Sequence, residues 1–179
     1  MCDHGPHLGR VPKGLNHPDF FDENPLDNVA DREGIVCEIV RGVFAEALKL
    51  SPKRVPGDAS LIELSASIPI HHQDMLELTL HGTRSVVQSC AEAFFGEPRH
   101  LLLTSEFEDA WGEVANLIAG VMIQRLAPTA RLDVPIVVNR RLNPQKQPIV
   151  GQCWLDVSFV LGEEGTFRVA SYREPSRKV

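Results

Sequence analysis

Ser105-Glu-Phe-Glu-Asp-Ala-Trp-Gly-Glu-Val-Ala-Asn-Leu-Ile-Ala-Gly-Val-Met-Ile-Gln-Arg-Leu126 reads as one helix with two faces that obey different rules. At about 100° per residue, Asp109, Glu113, Asn116, Gly120 and Gln124 fall within an arc of about 80° that no large apolar residue enters. Phe107, Trp111, Val114, Leu117, Ile118, Val121, Met122 and Leu126 take the opposite side, as a core-facing helix requires. A merely solvated stripe favours Lys, Glu, Gln and Ala. This one spends Asn116 and Gly120 in mid-helix, and a glycine there costs about 1 kcal/mol relative to alanine. The spacing Ser105-x-x-Glu108 predicts a capping box, Glu106, Glu108 and Asp109 suit the positive end of the helix dipole, and Arg125 followed by Pro128 predicts its end.

Outward from this helix the chain predicts a single α+β domain. Residues 1–23 are rich in Gly, Pro and His without hydrophobic period, which predicts a flexible arm ahead of a domain over 24–179. Asn24-Pro25 suits a helix start, and Val29, Val36, Ile39, Val40, Val43, Phe44, Ala47 and Leu48 predict a helix to about Leu50, with Gly34 and Gly42 allowing it to begin only near Asp31. Pro52, Pro56 and Gly57 break the chain. Ile62 to Ile70 and Leu76 to Leu80 alternate with polar residues, predicting two strands joined by a turn at His71–Asp74, with Pro69 at a strand edge or end. Thr83 or Ser85 should cap a helix whose Val86, Val87, Cys90, Ala91, Phe94 and Phe95 face inward and which Gly96 ends. After the Ser105 helix come strands at Val134–Leu142, Ile149–Leu161 and Thr166–Tyr172, with a loop at Asn143–Pro148 and a turn at Glu163-Glu164-Gly165. Hairpins joined through helices imply a mainly antiparallel sheet packed against long helices.

Composition narrows the function. With 43% apolar residues and a net charge of −6 the chain is an ordinary globular protein, with no electrostatic case for nucleic acid or an anionic membrane. No apolar run is long enough for a membrane span, and the first residues lack the apolar segment of a secretory signal. Cys2, Cys37, Cys90 and Cys153 are scattered, without disulfide-scaffold spacing, which fits reduced thiols in a cytoplasm. Cys37 and Cys90 fall on apolar helix faces and read as core. Cys2, Asp3, His4 and His7 are ligand types close together, but an ordered metal site needs a further ligand and supporting contacts. His71-His72 reads as an exposed turn. The expectation is therefore no intrinsic metal site.

The block Asp109-Ala-Trp-Gly-Glu-Val-Ala-Asn-Leu-Ile-Ala-Gly120 resembles the helix of the CheX/CheC/FliY chemotaxis phosphatases. Their pattern is Asp or Ser, three residues, Glu, two residues, then Asn, with a proline about twenty residues on. Asp109, Glu113 and Asn116 match position by position. Ala110, Gly112 and Gly120 are similar to that helix in size, and Pro135 is the best match for the proline, slightly nearer the Asn than usual. One copy of the motif, as in CheX, is present. The resemblance extends in outline from Asn24 to Tyr172 and implies a CheX-like fold. It implies a phosphatase acting on the aspartyl phosphate of a CheY-like response regulator, in chemotaxis or related two-component signalling. In that reading Asn116 places the attacking water and Glu113 pairs with a lysine of the regulator, which brings its own Mg²⁺. Asp109 would touch the partner, or serve the helix dipole alone. Gly120 would admit a partner's backbone, or pack against the chain's own first helix. A solvated helix face is the plain alternative for the whole stripe. A non-catalytic adaptor that binds a regulator or motor-switch component is the rival function. The sequence leaves a homodimer open.

Overall fold

A computed structural model describes residues 29–57, 62–71, 76–126, 128–139 and 152–173. The expected arm over 1–23, the Asn24-Pro25 start, His72 and the Asn143–Pro148 loop lie outside these residues. The elements are α1 (Val29–Val43) extended by a wide helical turn over Phe44–Leu48, β1 (Lys53–Val55), β2 (Leu64–His71), β3 (Leu76–Gly82), α2 (Arg84–Phe95), α3 (Thr104–Leu126), β4 (Arg131–Leu132), β5 (Ile136–Asn139), β6 (Gln152–Val160) and β7 (Thr166–Arg173). The sheet has seven strands in the order β1-β6-β7-β3-β2, with β4 and β5 sharing the outer edge of β2. All of these pairs are antiparallel. The fold class is the expected α+β.

One face of the sheet is apolar because the period of two puts alternate residues on the same side. Leu64, Ala66, Ile68 and Ile70 of β2, Leu78 and Leu80 of β3, Leu155, Val157 and Phe159 of β6, and Phe167 and Val169 of β7 are all buried. Helix α3 packs on β2, β3 and β5, and both α1 and α2 pack on α3. The centre of this layer is aromatic. Phe167 stacks on Phe44 at 4.8 Å and on Phe159 at 5.0 Å, and Trp111 meets it edge-on at 6.3 Å. The indole N–H of Trp111 donates to the Leu80 carbonyl at 3.2 Å, so the one polar atom of a fully buried side chain is satisfied.

Several local expectations change in the fold. The first helix ends close to the expected Leu50, but its last turn is a π turn that ends at Lys49 in the left-handed region, φ 57°. The wider turn buries Phe44 and Leu48 and carries Ala47 out to solvent. Lys53–Val55 is a short strand where the prolines suggested only a break: three residues are too few to show a period, and the charged Lys53 and Arg54 suit an edge. At the start of α2, Thr83 holds the N-cap position without a side-chain cap bond, and the Glu63 carboxylate instead accepts from the Arg84 N–H at 2.6 Å. Phe94 and Phe95 do not face inward. They lie about two-fifths exposed and pack on each other, because α2 runs on past its buried residues Val86, Val87, Ser89, Cys90 and Ala91.

Strand β3 also departs from simple alternation. Its polar residues Glu77, Thr79 and His81 are buried as well as its leucines. They lie between β2 and β7; His81 and Thr79 meet polar neighbours across the ladder, Ser65 Oγ and His81 Nδ1 at 2.8 Å and Ser67 and Thr79 hydroxyls at 3.2 Å, and the Glu77 carboxylate accepts from the Thr79 hydroxyl at 3.3 Å. Pro69 is not on an edge strand. On the outer side of β2, residues 64–67 pair with β5 and residues 70–71 with β4, so Pro69 falls at the gap between the two, where a missing N–H disturbs no ladder bond. The expected strand from Val134 begins only at Ile136, after a corner at Asp133–Pro135.

The tightest contact in the core yields a prediction. A Cβ on Gly82 would stand 2.7 Å from Trp111 Cζ2 and 3.2 Å from Val87 Cγ2, with the indole unable to give way because it is buried and hydrogen-bonded. Gly82→Ala is expected to cost about 1–3 kcal/mol by overpacking. Gly42→Ala in α1, where a Cβ meets nothing within 4 Å, is expected to stabilise by about 0.5–1 kcal/mol. Urea unfolding of both variants checks the pair; equal stabilities would show that α3 can shift off the sheet.

Candidate functional site

The conserved geometry of an α-helix turns the seating of Trp111 into a statement about every other side chain of α3. Phe107, Ala110, Trp111, Gly112, Val114, Ala115, Ile118, Ala119 and Met122 are buried. Asp109, Glu113 and Gln124 are exposed, and Asn116 and Gly120 are half-buried. The polar stripe read from the sequence is thus one continuous face open to solvent, with Glu113 and Asn116 one turn apart on it. Leu117 was expected on the core side; it is 38% exposed and borders the stripe. At about 100° per residue it stands only about 40° beyond Glu113, a borderline position that a sequence-only division into two faces assigns to the apolar side.

The start of the helix also differs from expectation. It begins at Thr104, and the Glu106 carboxylate accepts from the Leu103 N–H at 2.6 Å, while the N–H groups of Glu106 and Phe107 bond the Leu103 carbonyl. Leu103 therefore takes the cap position and Ser105 lies inside the first turn, so no Ser105–Glu108 capping box starts the helix. The shift matters for Asp109, which now lies in the second turn, where the dipole of the helix end has faded. At the far end Arg125 reaches Glu38 of α1 at 3.4 Å.

The two small residues of the motif do different things. A Cβ on Gly112 would stand 3.3 Å from Val137 Cγ2 and 3.7 Å from Pro135 Cβ, so Gly112 lets α3 lie close against β5. Pro135, 19 residues after Asn116 in the chain, is thereby brought beside the motif helix. A Cβ on Gly120 would meet nothing within 4 Å, so among the described residues Gly120 does not pack against α1. The corner that carries Pro135 is tied down. The Asp133 N–H donates to the Pro69 carbonyl at 3.1 Å, and its carboxylate accepts from the Val134 N–H at 2.8 Å and lies 3.5 Å from His71 Nε2. The Val134 N–H, and after it His71, hold the Asp133 carboxyl below the usual range. Val134 itself is 74% exposed.

A cavity of about 230 Å³ lies between the starts of α2 and α3, floored by Leu64, Val87 and Phe107, and another of about 680 Å³ lies by Lys49, Ser89 and Arg99. Neither is lined by Asp109, Glu113, Asn116 or Gly120. Among the described residues no group of three or more His, Cys, Asp or Glu is placed to hold a metal, and no helix is long and apolar enough to cross a membrane. The Cys2, His4 and His7 cluster lies outside the described residues. Cys37 and Cys90 are buried, as expected, and burial pushes both thiols up.

Residues 64–149 match the family model of the chemotaxis phosphatase CheX. This segment spans β2 to β5 and includes the whole of α3. No curated protein matches the chain. Among solved structures the chain is similar to the chemotaxis protein CheX from Vibrio vulnificus, at 17% identity over 78% of this chain and 93% of that one, with a TM-score of 0.62. It is similar to a complex of CheX with CheY, BeF₃ and Mg²⁺ from Borrelia burgdorferi, at 14% identity over 83% of this chain and 99% of that one, with a TM-score of 0.63. FliY from Thermotoga maritima shares the fold at 15% identity over 82% of this chain and 90% of that one, with a TM-score of 0.54. Over residues 64–149 the chain matches the CheX family, and its fold is that of the CheX and FliY structures.

Proposed function

We propose that this protein hydrolyses the aspartyl phosphate of a CheY-like response regulator, with Asn116 and Glu113 as its working residues. The observation that carries the reading is the presentation of these two side chains, one turn apart, on a solvent-exposed helix face that neither cavity reaches. An exposed helix face does not by itself enclose a small phosphate ester. It can enter a concave site on another protein, so the phosphoryl group and its metal arrive together on the partner. Binding of a CheX to a CheY with BeF₃ and Mg²⁺ in the Borrelia complex supports such a division of labour.

The chemistry follows from the groups available. An amide side chain both donates and accepts, so Asn116 can hold a water in line with the scissile P–O bond. The water oxygen bonds to phosphorus as the bond to the aspartyl oxygen breaks, releasing a carboxylate and inorganic phosphate. No strong base is needed next to Asn116, because catalysis of this kind is mainly positioning and electrostatics. The Glu113 carboxylate pairs with a lysine of the regulator and sets the register. Asp109, two turns before Asn116, and Gly120, open to a close backbone approach, complete the contact. Such a partner places the activity in the cytoplasm.

Three outcomes are expected. Asn116→Ala slows dephosphorylation of a phosphorylated receiver domain by about 100-fold while circular dichroism and partner binding stay as in the wild type. Wild-type rates from a folded variant would remove Asn116 from the mechanism. Glu113→Ala weakens binding of the receiver by about 2–5 kcal/mol if the pair is desolvated, and Glu113→Lys weakens it further. Calorimetry reads this directly, and unchanged affinity in both variants would leave Glu113 a solvated helix residue. Lastly, the protein alone should hydrolyse p-nitrophenyl phosphate negligibly with or without Mg²⁺, since nothing on α3 clamps a phosphoryl group. Metal-dependent turnover of that ester would overturn the division of labour.

A further inference from the structure

The polar stripe of α3 is bordered on one side by the exposed Leu117 and on the other by the β4–β5 corner, whose Val134 is also exposed. Taking Gly112 as the origin of the helical wheel, where α3 touches Pro135 and Val137, Asn116 lies about 40° round, Glu113 about 100° and Leu117 about 140°. One side of the stripe is therefore walled by the β4–β5 corner, with Val134 next to Pro135, and the other ends at Leu117, the residue one turn after Glu113. Single exposed apolar residues are normal on any surface. These two differ in their placement, because Leu117 lies at one border of the stripe and Val134 belongs to the corner that packs beside the other.

That placement answers a mechanical problem. A helix laid on a partner through one ion pair at Glu113 remains free to roll about its own axis. At the side-chain radius of about 5 Å, a roll of about 20° displaces the amide by about 2 Å. A misplacement of about 1 Å is enough to cost about 100-fold in rate. Contacts on both flanks of the stripe oppose the roll in both senses. The corner is suited to this, because Asp133 holds it to Pro69, to the Val134 N–H and to His71. The helix side is suited as well, because α3 is seated by Trp111 and cannot turn on the sheet.

We propose that Leu117 and Val134 are the apolar anchors through which this protein docks on its partner, and that they hold α3 against rolling so that Asn116 stays over the phosphoryl group. The inference rests on the function proposed above and names a receiver domain carrying an acyl phosphate as the occupant. It requires apolar side chains on the partner at either side of the phosphorylated aspartate. Leu117 and Val134 are positioning residues: neither carries a group that takes part in the bond changes.

The test uses the full chain and a receiver domain from the same genome, as the phosphorylated protein for rates and with BeF₃ and Mg²⁺ for affinity. Leu117→Ala and Val134→Ala are each expected to raise Kd and KM about tenfold with kcat within about threefold. The double variant is expected to lose kcat about tenfold as well, because the roll is then free in both senses. Leu117→Met and Val134→Ile should restore wild-type values. Leu101→Ala, at a residue 61% exposed in the α2–α3 connection, should change nothing. Affinities of the single variants equal to that of Leu101→Ala, or a fall in kcat at unchanged Kd, would overturn the anchoring role. Full activity of Asn116→Ala would instead remove the proposed chemistry and leave the affinity measurement to decide the anchors. A wild-type chain that binds no receiver domain would overturn both.

Discussion

The seating of Trp111 is the constraint on which the candidate site depends. Its ring lies over Gly82, meets Phe167 edge-on and donates its single hydrogen bond to the Leu80 carbonyl. Translation of α3 along the sheet would break that hydrogen bond, and rotation would drive the ring into β3. With the rotation of the helix settled, each residue's direction follows from a step of about 100°. One step of rotation would bury Glu113 and bring Ala110 or Val114 to the surface. The exposed acid and amide are thus a consequence of an aromatic contact on the other side of the same helix.

The rest of the sheet supports this arrangement at two places. Phe167 joins the turn after α1, β6 and α3 into one aromatic stack, so α1 is tied to the layer that carries α3. On the outer edge, β2 is shared by two short strands, and the break between them, at Pro69, coincides with the corner that brings Pro135 to Gly112. A glycine at 112 and a proline at 135 are therefore two halves of one contact, separated in the chain by the remainder of α3 and β4. The polar residues of β3 show a different economy. Glu77, Thr79 and His81 are removed from water, and the cross-strand partners Ser65 and Ser67 are small hydroxyl residues that supply hydrogen bonds without filling the space.

For the proposed function, an exposed helix face places specificity in how two proteins fit. The polar centre of the stripe can supply chemistry and charge, but charge alone leaves orientation loosely held. Apolar shoulders on different elements, one on α3 and one on the β4–β5 corner, would make the fit sensitive to the distance between helix and edge strand. That distance is set by Gly112, so a side chain there would alter docking without touching the partner.

Patterns with a local physical cause were legible in the sequence. The period of two in β2, β3, β6 and β7 and the period of 3.6 in α1, α2 and α3 follow from backbone geometry and the need to bury one face. They identified the α+β class, the antiparallel hairpins and the stripe of Asp109, Glu113, Asn116 and Gly120. The resemblance to CheX rested on the same helix, because the motif is contiguous. Features that depend on what lies across space were not legible. The turn over Phe44–Leu48 widens to place two residues in a core built by other strands. The three residues of β1 become a strand only because β6 offers an edge. The cap of α3 moves to Leu103 because Glu106 reaches its N–H, and Leu117 is exposed because none of the described elements covers that side of the helix. Sequence by itself determined which faces were apolar and which residues formed the motif, since those follow from spacing along one chain segment. The tertiary structure alone decided that Pro135 would stand against Gly112 and that Leu117 would be exposed beside the stripe, since such neighbours are set by packing between segments far apart in the chain.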